Sequence, residues 1–132
     1  LEITESAIME NLEDTIKVLA ELNAMGVQLT IDDFGTGYSS MAYLKTFPIS
    51  RLKIDRSFVN DITTDADDAA IVKATISLCK NLHLTVIAEG LESCEQVGFV
   101  QDSGCSEMQG YFFGKPVTAD EFGALLRGTN YK

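Results

Sequence analysis

VQLTIDDFGTGYSS, Val27 to Ser40, is the stretch on which the reading of this chain turns. Val27, Leu29 and Ile31 alternate with Gln28 and Thr30, the period-two pattern of a half-buried strand. Two adjacent carboxylates, Asp32 and Asp33, follow at once. Then comes FGTG, a turn in which glycine supplies backbone angles closed to other residues. Paired acids and a glycine turn are a poor way to extend a core. They are a good way to hold a metal ion at the mouth of a sheet.

Outward from this stretch, strands and helices alternate. LEITES, Leu1 to Ser6, reads as the end of a strand, and Ser6 or a neighbour caps a helix from about Ala7 to Met25. Ile8, Leu12, Ile16 and Leu19 form its apolar stripe, and Gly26 stops it. Ser39 or Ser40 starts a short helix, MAYLKTF, which Pro48 prevents from continuing. A strand is predicted over Arg51 to Asp55, and an acidic loop, Asp65 to Asp68, suits the positive end of the next helix, Ala69 to Asn81. Ile71, Ile76, Leu78 and Cys79 fall on or near its buried side. Leu84 to Glu89 reads as a strand, Glu92 to Ser103 as a helix, Met108 to Gly114 as a last strand, and ADEFGALLR after Thr118 as a terminal helix. Five β-α units with no hairpin call for a parallel sheet with right-handed crossovers, so the fold class is α/β.

Composition narrows the function. The chain has 132 residues and 45% apolar content, enough for one folded domain with a core. It opens at Leu1, already in a strand, as expected of a piece cut from a longer protein. Lys73 and Lys80 interrupt the best apolar run, so no membrane contact is expected from this segment, and no basic, apolar leader opens it. Cys79, Cys94 and Cys105 form no CxxC pair and are odd in number, so they read as reduced thiols acting as small hydrophobes. His83 stands alone, and no zinc site is expected of it. The net charge of −10 argues against a DNA or RNA polymer as partner. A phosphate substrate still fits if divalent cations come between it and the acids.

Strand parity then sorts the charges. The face covered by helices must be apolar. Val27, Leu29 and Ile31 fit it, as do Leu52 with Ile54, Val86 with Ala88, and Leu1 with Ile3. Asp32, Lys53 with Asp55, Glu89 and Glu2 then point the other way, each near the carboxyl end of its strand. If the strands curve toward a barrel, that side is its interior, and the charges meet at the carboxyl-terminal mouth where barrel enzymes place their chemistry. Glu2, Asp32, Asp33 and Glu89 are oxygen ligands of the kind that Mg²⁺ and Mn²⁺ prefer. Two carboxylates about 4 Å apart repel by roughly 4 kcal/mol at an effective dielectric of 20, so four of them need cations or protons. Lys53 adds one positive charge that can orient a water or help deprotonate it. Taken singly, each residue has a plainer reading: Asp33 and Asp55 as helix caps, Lys53 as an ion-pair partner, FGTG as a tight turn. Several strands making the same accident is what weighs against that.

LEITES, LTIDDFGTGYSS, LKIDRSFV, VIAEGLE and GCSEMQGYFFGKPV, in this order, resemble the carboxyl-terminal part of an EAL domain. The resemblance implies a partial (β/α)8 TIM-type barrel and a cytoplasmic enzyme that hydrolyses cyclic di-GMP to linear pGpG with Mg²⁺ or Mn²⁺, two ions in the intact parent. Any membrane anchor would belong to other domains of that parent. By motif, Glu2, Asp32, Asp33 and Glu89 match metal-binding positions, with Asp32 shared by both ions. Asp32, Lys53 and Glu89 match the catalytic set, Lys53 contacting the attacking water. Glu5 matches a residue that steadies the loop after the aspartates, a mobile loop to which Phe34, Gly35, Thr36 and Gly37 belong. Glu92 and Gln109 match positions that support the site or touch substrate. The helix Ala69 to Asn81 resembles the region that pairs EAL domains into homodimers. The Glu-Ala-Leu motif and an asparagine ligand lie upstream in the family and are absent from this sequence, which holds about five-eighths of such a barrel. Little activity is therefore expected of the piece alone. The alternatives are a cyclic di-GMP receptor that does not hydrolyse, or a dimerisation module.

Overall fold

The computed structural model describes residues 1–36 and 41–128, without the side chains of Met41 and Ala42. Gly37, and the expected caps Ser39 and Ser40, lie outside the described residues. Five strands, β1 (Glu2–Thr4), β2 (Thr30–Phe34), β3 (Arg51–Ile54), β4 (Thr85–Ala88) and β5 (Glu107–Met108), form one parallel sheet in chain order. Between them run α1 (Glu5–Met9), α2 (Leu12–Ala24), α3 (Met41–Leu44), α4 (Arg56–Asn60), α5 (Ala66–Asn81) and α6 (Cys94–Asp102), and α7 (Ala119–Gly128) closes the described chain. This is the predicted α/β architecture of five successive units.

The core lies on one side of the sheet. Ile31, Leu52, Ile54, Val86 and Ala88 point into it from the strands, and Ile8, Val72, Ile76, Cys79 and Val100 meet them from α1, α5 and α6. Each fully buried Ile, Leu or Val among them contributes roughly 1.5–3 kcal/mol, so this layer holds the sheet to its helices. Thr30, Lys53 and Ile87 alternate with those strand residues and so take the opposite face.

Several boundaries differ from the sequence reading. The stripe from Ile8 to Leu19 is not one helix: α1 ends at Met9, and Asn11 leaves helical geometry at φ −148°. Thr4, not Ser6, caps α1, its hydroxyl accepting from the Ala7 N–H at 3.4 Å. On α5 the buried positions are Val72, Thr75, Ile76 and Cys79, one stripe at i, i+3, i+4 and i+7, and Ile71 falls off that stripe and is exposed. β2 begins at Thr30 rather than Val27. β5 stops at Met108: the chain turns at Gly110, and the aromatic run Tyr111 to Phe113, which has strand propensity, lies exposed instead. The one-turn helix α4 leaves no mark in the sequence pattern, being too short to show a period.

Candidate active site

The site begins with a departure from regular alternation. Ile31 pairs with Leu52 and Phe34 pairs with Ile54, so Asp32 and Asp33 together stand opposite the single residue Lys53. This is a β-bulge, a device common beside active sites because it re-aims side chains. Asp33 absorbs it with φ +55°, a left-handed conformation that Asp tolerates better than most residues. The bulge resets the alternation, which returns Phe34 to the core at 5% exposure.

Four strands then supply one cluster. Lys53 is 6% exposed, and its ammonium meets Glu89 at 2.5 Å, Glu2 at 3.1 Å and Asp32 at 3.5 Å. Glu2 is the first residue of β1 and pairs with Thr30, so it sits lower than the parity reading placed it; its long side chain bridges the difference. Glu2 is the exposed member, while Asp32 and Glu89 are largely covered. Burial pushes the Lys53 pKa down, but the hydrogen bonds it donates to Glu89 and Glu2 outweigh this and raise it above the ordinary lysine value. Burial pushes Glu89 up, against the pull of Lys53 in the other direction. Three carboxylates around one ammonium leave a local charge of about −2.

Asp33 lies outside this ring. Its carboxyl is held above the ordinary range by burial and by the charges of Asp32 and Asp55. Asp55 also caps α4, accepting from the Ser57 N–H at 2.8 Å. Burial pushes Asp55 up, but the Ser57 hydroxyl and N–H outweigh it and hold it below the ordinary range. Beyond Asp33, the buried carboxylate of Glu5 accepts from the Gly35 N–H at 2.9 Å, and the Thr36 hydroxyl donates to the Asp33 carbonyl at 2.8 Å. Glu89, Glu92 and Gln109 line one cleft of about 170 Å³ with Arg56 and Tyr111. Arg56, which the sequence reading passed over, donates to Glu92 at 2.9 Å; no periodicity marks a residue whose partner lies 36 positions away.

The donor set is chemically suited to a hard cation, being carboxylate oxygen with too little positive charge to balance it. Among the described residues, however, no three acidic, histidine or cysteine side chains gather on a common point as a metal cage does. The carboxylates are aimed at the Lys53 ammonium instead.

The EAL-domain profile matches residues 1–116. The chain belongs to the EAL family. It is 48% identical over 121 residues to the bifunctional diguanylate cyclase/cyclic di-GMP phosphodiesterase MucR of Pseudomonas aeruginosa, covering 92% of this chain and 18% of MucR. The solved phosphodiesterase part of MucR, in complex with c-di-GMP, superimposes with a TM-score of 0.89 over 92% of this chain and 49% of that one. The Klebsiella pneumoniae protein BlrP1, solved as a manganese/cy-diGMP complex, gives a TM-score of 0.82 at 36% identity, over 87% of this chain and 29% of BlrP1. This EAL chain thus spans less than a fifth of MucR and about half of its solved part, and its five β-α units are part of the EAL barrel.

Proposed function

We propose that the full-length protein hydrolyses cyclic di-GMP to linear pGpG using Mg²⁺ or Mn²⁺ in the cytoplasm, and that residues 1–132, one incomplete EAL domain, turn over little or none by themselves. The observation that carries this is the meeting of Glu2, Asp32 and Glu89, from three separate segments, on Lys53 at one rim of the sheet. The c-di-GMP phosphodiesterase relatives support the substrate, and the manganese complex of BlrP1 supports a divalent cation.

In this reading Glu2, Asp32, Asp33 and Glu89 are the residues that would hold the cations. Bound there, the ions supply Lewis-acid polarisation of the phosphate oxygens and a lowered water pKa. The chain's own residues do the rest. Lys53 orients the attacking water with an ammonium donor that comes free when a carboxylate turns from it to a cation. The water oxygen bonds to phosphorus, the bond from phosphorus to the ribose 3′ oxygen breaks, and a proton ends on that oxygen, leaving a 5′-phosphate. Glu5 holds the Gly35 turn beside the aspartates, and Glu92 and Gln109 face the substrate along the cleft. Two such domains pair through α5, whose outer side exposes Ala70, Ile71, Ala74 and Ser77.

The test is turnover of cyclic di-GMP by the full-length protein with Mg²⁺ or Mn²⁺, read by chromatography of pGpG. Asp32→Asn is expected to abolish it. Unchanged turnover in that variant ends the proposal, and tight nucleotide binding by the wild type with no turnover assigns the receptor role instead.

A further inference from the structure

We infer that α4 is a wedge that positions the site: Phe58 and Arg56 hold the turns after β2 and β4 so that Asp32 and Glu89 converge on Lys53. The inference rests on the function proposed above, and it concerns residues outside the set assigned there.

α4 follows β3, the central strand, directly. Its two side chains reach the two neighbouring strands. Phe58 lies against Gly35, where a Cβ would come within 2.9 Å of the ring. The stem of Arg56 lies against Gly90, where a Cβ would overlap it outright. Both glycines are left-handed, φ +99° and +75°, so both turns need glycine for conformation as well as space. Gly35 stands two residues after Asp33, and Gly90 stands next to Glu89. Each turn has a polar tie as well: the Gly35 N–H donates to Glu5, and Arg56 itself donates to Glu92, just past Gly90.

A wedge must itself be anchored. Val59 is fully buried in the core. The buried side chain of Gln96 donates to the carbonyls of Val59 and Asn60 at 3.4 and 3.0 Å, tying α4 to the start of α6. Asp55 caps its first turn. A path of packed contacts therefore runs from the core through α4 to both glycine turns and on to the carboxylates. Phe58 and Arg56 are positioning residues, since they act through Gly35, Gly90 and Glu92.

The experiment uses the full-length protein, with hydrogen exchange of the segments 33–36 and 89–92 and steady-state hydrolysis of cyclic di-GMP measured on the same variants. Phe58→Ala is expected to speed exchange at Gly35 about tenfold. It is expected to lower kcat by on the order of 10–100-fold with little change in KM, as misplacement of reacting groups does. Phe58→Leu refills most of the space and is expected to recover most of both. Arg56 is exposed, and its pair with Glu92 adds little stability, so Arg56→Ala folds even if Phe58→Ala does not. It is expected to speed exchange over 89–92 and lower kcat, and Arg56→Met, which keeps the stem, is expected to restore the exchange. Wild-type exchange and wild-type kcat in folded Arg56→Ala overturn the wedge. If the wild-type protein does not hydrolyse the messenger, the functional reading fails, and the exchange rates still decide the wedge.

Discussion

Lys53 is buried and charged at once, a combination that survives only with partners. Three carboxylates supply them, and the arrangement works both ways: the lysine needs the acids, and the acids need the lysine. Lys53→Met leaves Glu2, Asp32 and Glu89 facing one another without compensation. In the full-length protein without divalent cations, this is expected to cost roughly 3 kcal/mol, the usual consequence of breaking a covered ion pair from one side. Denaturant unfolding measures it. Added Mn²⁺ is expected to raise the variant's melting temperature more than the wild type's, since the ion then takes over the neutralising role. Equal shifts in both proteins contradict this account of the cluster. Parity read from the sequence identified Asp32, Lys53, Glu89 and Glu2 as facing one side. It could not foresee the bulge, because a left-handed Asp33 is a local departure that no alternation pattern announces.

At the scale of elements, α6 shows how one side chain joins two helices. Ser93 and Gln96 form a capping box: the Ser93 hydroxyl accepts from the Gln96 N–H at 3.2 Å, and the Gln96 side-chain oxygen accepts from the Ser93 N–H at 3.1 Å and from the Glu92 N–H at 2.8 Å. The amide nitrogen of the same Gln96 donates to α4. Ser93→Ala loses only the cap, an expected cost of about 1 kcal/mol. Gln96→Ala also takes the amide donor away from the carbonyls of Val59 and Asn60 at the end of α4, and about 2 kcal/mol is expected. Denaturant midpoints of the two variants check the order; Ser93→Ala being the more damaging would refute the link. The motif Ser-x-x-Gln is visible in the sequence. Its second use, toward α4, is not, because it depends on which helix packs beside α6.

The whole molecule leaves apolar surface uncovered. α7 buries none of its residues, and Phe122 and Leu126 are 54% and 60% exposed. Phe113, Val117 and Phe122 line a groove of about 490 Å³. β1 and β5 are the edges of the sheet, and such edges pair readily with other chains. The isolated 132-residue chain is therefore expected to self-associate at micromolar concentration, read by light scattering. Phe122→Glu with Leu126→Glu is expected to shift it toward monomer. A monomeric, cooperatively melting wild-type chain would argue against this reading.

Sequence alone determined the five β-α units, the parallel sheet, the covered face and the family, because burial alternates residue by residue along a strand and the motifs are contiguous. Tertiary structure alone decided the bulge that turns Asp33 out of the ring, the convergence of three acids on one lysine, and the place of α4 under two glycine turns. Those features follow from which strands become neighbours, and neighbours in space leave no periodic trace along the chain.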